Sequence, residues 1–191
     1  MRVLIACEFS GIVREAFAKL GHDAWSCDLL PTEVAGRHLQ TDIMNLRWEN
    51  WAWDLMIAFP PCTYLASSGA RWWHGREKEQ DDAIHFIISL MMFPIERICI
   101  ENPIGIISTR IRKPDQIIQP YQFGHGETKA TCLWLRGLSL LQPTNIVDGR
   151  IGRVHCEPPS AERWKNRSRT YQGIADAMAE QWGKSTLRGS E

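Results

Sequence analysis

The run RVLIACEFSGIVREAFAKLGHDAWSCD, residues 2–28, holds two strands and the helix between them. Arg2–Cys7 is a short apolar run bounded by turn-like residues, the signature of a buried strand. Ile12, Val13, Ala16, Phe17 and Leu20 then recur at helical spacing, with Ser10 in position to cap the helix and Gly21 to end it. Ala24–Asp28 is a second strand, closed by an acid. Strand, glycine turn, helix, strand and acid form the first half of a Rossmann-like unit. In such a unit Gly11 lets a ligand approach the turn, and Asp28, seventeen residues on, can bind a ribose diol.

Outward from this unit the alternation continues. Arg37–Ile43 reads as a third short strand or its loop, and Asp54–Phe59 as a fourth strand stopped by Pro60-Pro61. Residues 60–76 read as a polar loop. A helix follows over Glu77–Met92, with Ile84, Ile87, Ile88, Met91 and Met92 on its apolar face. Arg97–Glu101 is a fifth strand ending in an acid, and Ala130–Leu135 another strand. Gly149–Arg169 reads as irregular and basic. Thr170–Trp182 returns to helical spacing, and the tail from Gly183 is expected to fray. The pattern predicts one α/β domain over residues 1–182 with a largely parallel sheet, whose ligands sit at the carboxyl ends of the strands.

Composition bounds the function. The 191 residues are 44% hydrophobic and 23% charged, which is globular and not disordered. No apolar run approaches the length of a membrane span, and Met1-Arg2-Val3 leads directly into a strand-like stretch, unlike a signal peptide. The six cysteines, at 7, 27, 62, 99, 132 and 156, form no CxxC pair, so free thiols in a cytoplasmic setting are expected, without a disulfide framework or metal site. Zero net charge conceals an asymmetry. Residues 1–95 carry 8 basic and 12 acidic side chains, and residues 96–191 carry 14 and 10. Arg150, Arg153, Arg163, Lys165, Arg167 and Arg169 crowd one segment, compatible with a polyanionic partner or with a solvated loop.

The residues closing the strands are Phe9-Ser10-Gly11, Asp28, Asp42, Pro60-Pro61-Cys62 and Glu101-Asn102-Pro103. Two prolines after a buried strand stiffen the loop that presents the Cys62 sulfur at the sheet edge. A thiolate there is a strong nucleophile, and Glu101 could meet it across the cleft as an acid. Taken singly, Cys62 reads rather as a small buried residue.

In order, these segments resemble the DNA cytosine-C5 methyltransferases. DLMIAFPPCTYLASSG (54–69) is similar to that family's Pro-Pro-Cys loop, and CIENPIGI (99–106) to its Glu-Asn-Val segment, with Pro103 in place of Val. EFSG (8–11) is similar to its Phe-x-Gly cofactor turn, SCDL (26–29) and TDI (41–43) to its next cofactor segments, and TYQGIADAMAEQW (170–182) to its C-terminal helix. The resemblance implies a Rossmann-like S-adenosylmethionine-dependent methyltransferase fold, a largely parallel sheet flanked by helices. It implies Cys62 as nucleophile at cytosine C6, Glu101 at the ring N3 edge and S-adenosyl-L-methionine as methyl donor. Phe9, Ser10, Gly11, Asp28, Leu29, Asp42, Ile43 and Pro60 would form the cofactor site, with Phe9 near adenine, Asp28 on the ribose and Asp42 on the adenine amino group.

The chain also departs from that pattern. Val13 and Arg14 stand where the family favours glycine. After Phe123-Gly124, Glu127, Lys129 and Thr131 stand in place of Gln-x-Arg-x-Arg, so Lys129 would bring a charge to the substrate edge without a guanidinium fork. Only about residues 138–168 are available where the family carries its target-recognition region, so sequence specificity would be short, relaxed or supplied by a protein partner. Arg71, Trp72, Trp73 and Arg76 in the loop after Cys62, with Ser67-Ser68-Gly69 as its hinge, and Arg163, Lys165 and Arg167 further on are candidate nucleic-acid contacts. His74 and His125 read as loop histidines, and the Met91-Met92 pair as core. The reading is a compact, phage-type enzyme of a bacterial or phage-infected cell acting on DNA. RNA, single-stranded DNA or a free cytosine nucleotide is the alternative substrate, and a catalytically inactive binding module the alternative class. An adenine-N6 enzyme is disfavoured, because those place an aromatic residue where Cys62 stands.

Overall fold

The computed structural model describes residues 1–46, 52–152, 158, 160 and 162–184. Arg153, Trp48, Trp51, Cys156 and the tail beyond Lys184 lie outside the described residues. Seven strands form one sheet: β1 Arg2–Ala6, β2 Asp23–Asp28, β3 His38–Gln40, β4 Leu55–Ala58, β5 Arg97–Pro103, β6 Gln116–Ile118 and β7 Thr131–Arg136, in the order β3-β2-β1-β4-β5-β7-β6. β1 to β5 pair in parallel, and β7 runs antiparallel between β5 and β6. The helices are α1 Ile12–Lys19, α2 Glu77–Met91, α3 Ile107–Arg110, α4 Arg163–Ser168 and α5 Gln172–Trp182.

The central strands are apolar on both faces because helices cover both. Val3, Ile5, Leu55 and Ile57 pack with Val13 and Phe17 of α1 and with Ile174, Met178 and Trp182 of α5. Leu4, Met56, Ile98 and Ile100 point the other way, against Ile84, Ile87 and Leu90 of α2 and against Trp134. The two-residue alternation of each strand thus divides one run of hydrophobics between two cores.

The expected elements form, with four corrections. The apolar face of α2 is Ile84, Ile87 and Leu90, whereas Ile88 is partly open and Met92, at the helix terminus, is 74% exposed. A spacing of three keeps Leu90 on the inner face and turns Met92 out. The loop after Cys62 contains a 3-10 helix, Ser67–Trp72, so the Ser67-Ser68-Gly69 hinge is wound into structure. Part of the basic segment read as irregular forms α4. Ser10 is not the cap residue of α1: Gly11 occupies that position at φ 75°, Glu8 accepts from Val13 and Arg14 N–H, and Ser10 Oγ accepts only from Ile12 N–H, at 3.4 Å.

Chain order around β1 sets the location of the site. The chain leaves β1 toward β2 and β3, then returns to β4 on the other side, so the sheet has a switch point between β1 and β4. A crevice opens at the carboxyl ends of such a pair. Here those ends carry Cys7–Gly11 and Phe59–Cys62, joined by Phe59 N–H donating to the Ala6 carbonyl at 2.9 Å.

Candidate active site at the carboxyl edge of the sheet

β1 ends in a strained turn. Cys7 is a non-glycine residue at φ 57°, in the left-handed region that costs of order 1–3 kcal/mol and persists where surrounding structure imposes it. The turn directs the buried Glu8 back at the first turn of α1, where its carboxylate accepts from Val13 N–H at 2.7 Å and Arg14 N–H at 3.2 Å. Burial pushes the Glu8 pKa up to about 7, against the pull of these two N–H bonds and of Arg14.

Arg14, flagged in the sequence for its bulk beside the cofactor turn, is only 1% exposed and points away from it. Nη1 donates to Ser26 Oγ at 2.9 Å and Thr32 Oγ1 at 3.1 Å, Nη2 to the Val34 carbonyl at 2.7 Å, and Nε to Glu15 at 2.9 Å. The side chain therefore pins the loop after β2, residues 29–37, from beneath. A Cβ on Gly11 or Gly36 would lie 2.7 Å from Arg14 Nη2. Gly11 is thus demanded by Arg14 as well as by its own φ. From above, Arg169 holds the same loop through Glu33, with Nη2 2.7 Å from Oε1, and Glu33 N–H donates to the Phe9 carbonyl at 2.9 Å.

The other expected cofactor residues surround this turn. Asp28 is half-buried at the end of β2, accepts from Leu30 N–H at 2.9 Å, and has its pKa raised by burial. Asp42 is exposed and accepts from Met44 N–H at 2.9 Å. Leu29 is open to solvent, whereas Ile43 and Pro60 are buried, Ile43 as part of a core. Phe9 is buried except for an edge, with the Trp164 ring of α4 at 5.8 Å from its own. Beside Ile12, a cleft of about 320 Å³ opens between α1 and the start of α5, lined in part by Glu127, Asn166, Arg169 and Tyr171.

Cys62 stands across the crevice on a loop tied to β5 twice. Asn102 Nδ2 donates to the Pro60 carbonyl at 2.9 Å. Beyond it, Ser67 N–H reaches the Ile104 carbonyl and Ile106 N–H the Leu65 carbonyl, both at 2.9 Å, around an Ala66–Gly105 bridge. A Cβ on Gly105 would overlap the Leu65 carbonyl oxygen, so this close approach requires glycine. Gly105→Ala is accordingly expected to force the two segments apart and destabilise the fold by about 1–3 kcal/mol, the range for overpacking a close contact, as read by thermal unfolding. An unchanged melting temperature would mean that this close approach does not hold the loop.

Cys62 is solvent-exposed, and its pKa is raised by the adjoining protein and by Glu101 while Lys129 and Arg167 pull it down. Burial also raises Glu101, opposed by Lys129 and by a hydrogen bond with Thr131. Lys129 reaches the site because β7 is antiparallel. Its start lies beside the carboxyl end of β5, with Thr131 opposite Pro103. The Lys129 ammonium donates to the Arg167 carbonyl at 2.8 Å, and Lys129 N–H donates to Gln119 Oε1 at 3.0 Å. The structure thus brings Cys62, Glu101 and Lys129 into one electrostatic cluster, with the end of α4 beside it.

The candidate nucleic-acid contacts divide. Trp73 is half-buried beside Gly69, while Trp72 is 71% exposed, with the Arg71 guanidinium 5.0 Å from its ring centre. Arg76 pairs with Glu79 at 2.7 Å and Lys165 with Glu162 at 3.3 Å. Arg163 and Arg167 pair with no carboxylate among the described residues. His125 is not a free loop histidine: its Nε2 accepts from Gly173 N–H at 3.0 Å and so caps α5. Sequence reasoning missed Glu8, Arg14, Glu33 and Arg169 as supports of the turn. The one local signal was an arginine between Val13 and Ala16, on the apolar side of a short helix.

No family model matches this sequence, and no curated protein resembles it closely enough to match. Among solved structures, one named as a candidate DNA modification methyltransferase encoded within an E. coli prophage is similar, with a TM-score of 0.51 at 14% identity, over 82% of this chain and 55% of that one. The chain therefore spans about half the length of that protein. The likeness is one of fold. A seven-stranded, mostly parallel sheet in the order 3-2-1-4-5-7-6 with β7 reversed is the methyltransferase fold.

Proposed function

We propose that this chain is a DNA cytosine-C5 methyltransferase using S-adenosylmethionine, with residues 1–182 as one catalytic domain and 138–168 serving in place of a separate target-recognition region. The observation that carries the reading is the coupling of Cys62, Glu101 and Lys129 across the crevice from a cofactor-type turn.

The residues at the turn suit this cofactor. In dinucleotide-binding folds the helix N-terminus receives a pyrophosphate. Here the Glu8 carboxylate already takes the Val13 and Arg14 N–H groups, and Asp28 and Asp42 stand nearby. That acidic surround disfavours a phosphate and favours a nucleoside bearing a cation. Phe9, Ser10, Gly11, Asp28, Leu29, Asp42, Ile43 and Pro60 would hold it, with Asp28 on the ribose hydroxyls. When bound, S-adenosylmethionine supplies an electrophilic methyl group.

The protein side of the reaction follows from the site. Cys62 as thiolate forms a bond to cytosine C6, while Glu101, kept protonated to higher pH by burial, donates to N3 and draws electron density from the ring. C5 becomes carbanion-like and nucleophilic. After methylation, a solvent base takes the C5 proton, its electron pair re-forms the C5–C6 double bond, the Cys62 thiolate leaves C6, and N3 returns its proton to Glu101. Lys129 favours the thiolate and the Glu101 carboxylate alike. Lys129→Met should therefore raise both pKa values and move the whole pH–rate profile to higher pH. An unmoved profile would detach Lys129 from the chemistry.

Asp28→Ala is expected to weaken S-adenosylmethionine binding roughly 10- to 100-fold, the range for hydrogen bonds to a charged group. Calorimetry checks it, and unaltered affinity would remove the ribose role. The reading as a whole is tested by trapping. With S-adenosylmethionine and DNA containing 5-fluorocytosine, whose fluorine blocks the final elimination, a denaturing gel and mass spectrometry should find an adduct at Cys62. No adduct with DNA, RNA or nucleotide would leave a methyltransferase fold without this chemistry.

A further inference from the structure

We infer that the substrate is an unpaired polynucleotide strand, and that Trp72 with Arg71, and Trp164 with Lys165, are stacking platforms for bases flanking the target cytosine. This rests on the Cys62 reading above and names its substrate class.

Trp72 is 71% exposed at the end of a turn that is fastened. The turn begins at Ser67, whose N–H is held by Ile104, and Trp73, half-buried beside Gly69, anchors its far end. The open indole is therefore held at the surface while its neighbour packs inward. Trp164 is 52% exposed, with the Lys165 ammonium 5.7 Å from its ring centre. It lies beside Phe9, with the ring centres 5.8 Å apart, on the helix whose Arg167 carbonyl accepts from Lys129. Each indole thus has a cation beside it, Arg71 at Trp72 and, at Trp164, a Lys165 that also pairs with Glu162 at 3.3 Å, the arrangement that suits a base and its phosphate.

Base stacking selects the unpaired form. An indole stacks on a base only where the base exposes a face, and in a duplex both faces are covered by neighbours. Arg71 and Arg167, without carboxylate partners among the described residues, are available to a phosphate backbone, single or paired. A single strand offers its cytosine already unstacked, so no base-flipping step is needed.

The test uses the full chain with S-adenosylhomocysteine and fluorescein-labelled 12-nucleotide probes of one sequence: single-stranded DNA, single-stranded RNA and duplex DNA. Fluorescence anisotropy should show a single strand bound at least about tenfold more tightly than the duplex, and the DNA and RNA arms identify the preferred sugar. Trp72→Ala should weaken single-strand binding roughly 10- to 100-fold, in line with the loss of one base–aromatic stack, with Trp72→Phe restoring most of it. Duplex bound as tightly as single strand, or Trp72→Ala without effect, overturns the proposal. Trapping on 5-fluorocytosine separates the two readings. An adduct on duplex alone overturns the substrate class and keeps the Cys62 chemistry. Single-strand binding that depends on Trp72, without an adduct on any probe, keeps the platforms and removes the chemistry.

Discussion

Cys62→Ser should lower methyl transfer by on the order of 10⁴-fold or more while leaving S-adenosylhomocysteine affinity close to wild type. A serine hydroxyl ionises far less readily than a thiol at neutral pH, and the pull of Lys129 that favours a thiolate at Cys62 is far too small to ionise it. The cofactor turn should not register the change, because its hydrogen bonds run through Glu8, Arg14 and Glu33, across the crevice. Labelled-methyl incorporation and calorimetry on one preparation check both halves. Turnover that survives the substitution removes the covalent mechanism.

The second large effect is structural. Arg14→Ala should destabilise the fold by about 3–5 kcal/mol, the cost of breaking a buried, paired charge. For a domain of this size that is a fall in melting temperature of about 6–20 °C. Ser26 Oγ and Thr32 Oγ1 lose a donor, as does the Val34 carbonyl, and the loop over 29–37 loses its lower attachment. Arg169 with Glu33 cannot replace it, since that pair is about one-third exposed and an exposed pair contributes about 0–1 kcal/mol. Cofactor binding should therefore fail even below the melting temperature. Arg14→Lys keeps the charge, but its compact ammonium cannot span all these acceptors, so its stability should fall between the other two. Thermal unfolding with calorimetry at 10 °C gives both readouts. An Arg14→Ala protein that binds S-adenosylhomocysteine normally would show that the loop does not need this anchor.

These residues show how far the chain could be read by itself. The strands were legible because a buried parallel strand is a continuous apolar run, and Leu55–Ala58 is buried throughout. Met92 was misplaced because an apolar residue one step past a helix terminus looks, by composition, like the residues within it. Ser10 was a reasonable cap by residue type, yet a carboxylate two positions earlier turns back through the left-handed Cys7 and takes the N–H groups first. Such a reversal has no signature in the local pattern. Helix α4 has no mark in the sequence because its six residues, three of them charged and one apolar, carry no apolar stripe.

Local pattern alone carries the alternation of β1 to β5 and β7 with α1, α2 and α5, the burial of the central strands, and the residues at their carboxyl ends, Gly11, Asp28, Cys62 and Glu101 among them, whereas β6, α3 and α4 do not show in it. The features it carries are set by periods of 2 and 3.6 and by proline and glycine. Tertiary structure alone decided which of those ends meet. Lys129 reaches the site only because β7 reverses beside β5, and it is held there by a carbonyl 38 residues away. Arg14 supports the loop over residues 29–37 only because the chain after β2 folds over its guanidinium. Contacts of that range follow from how the layers pack, and the residues that make them carry no local mark of their partners.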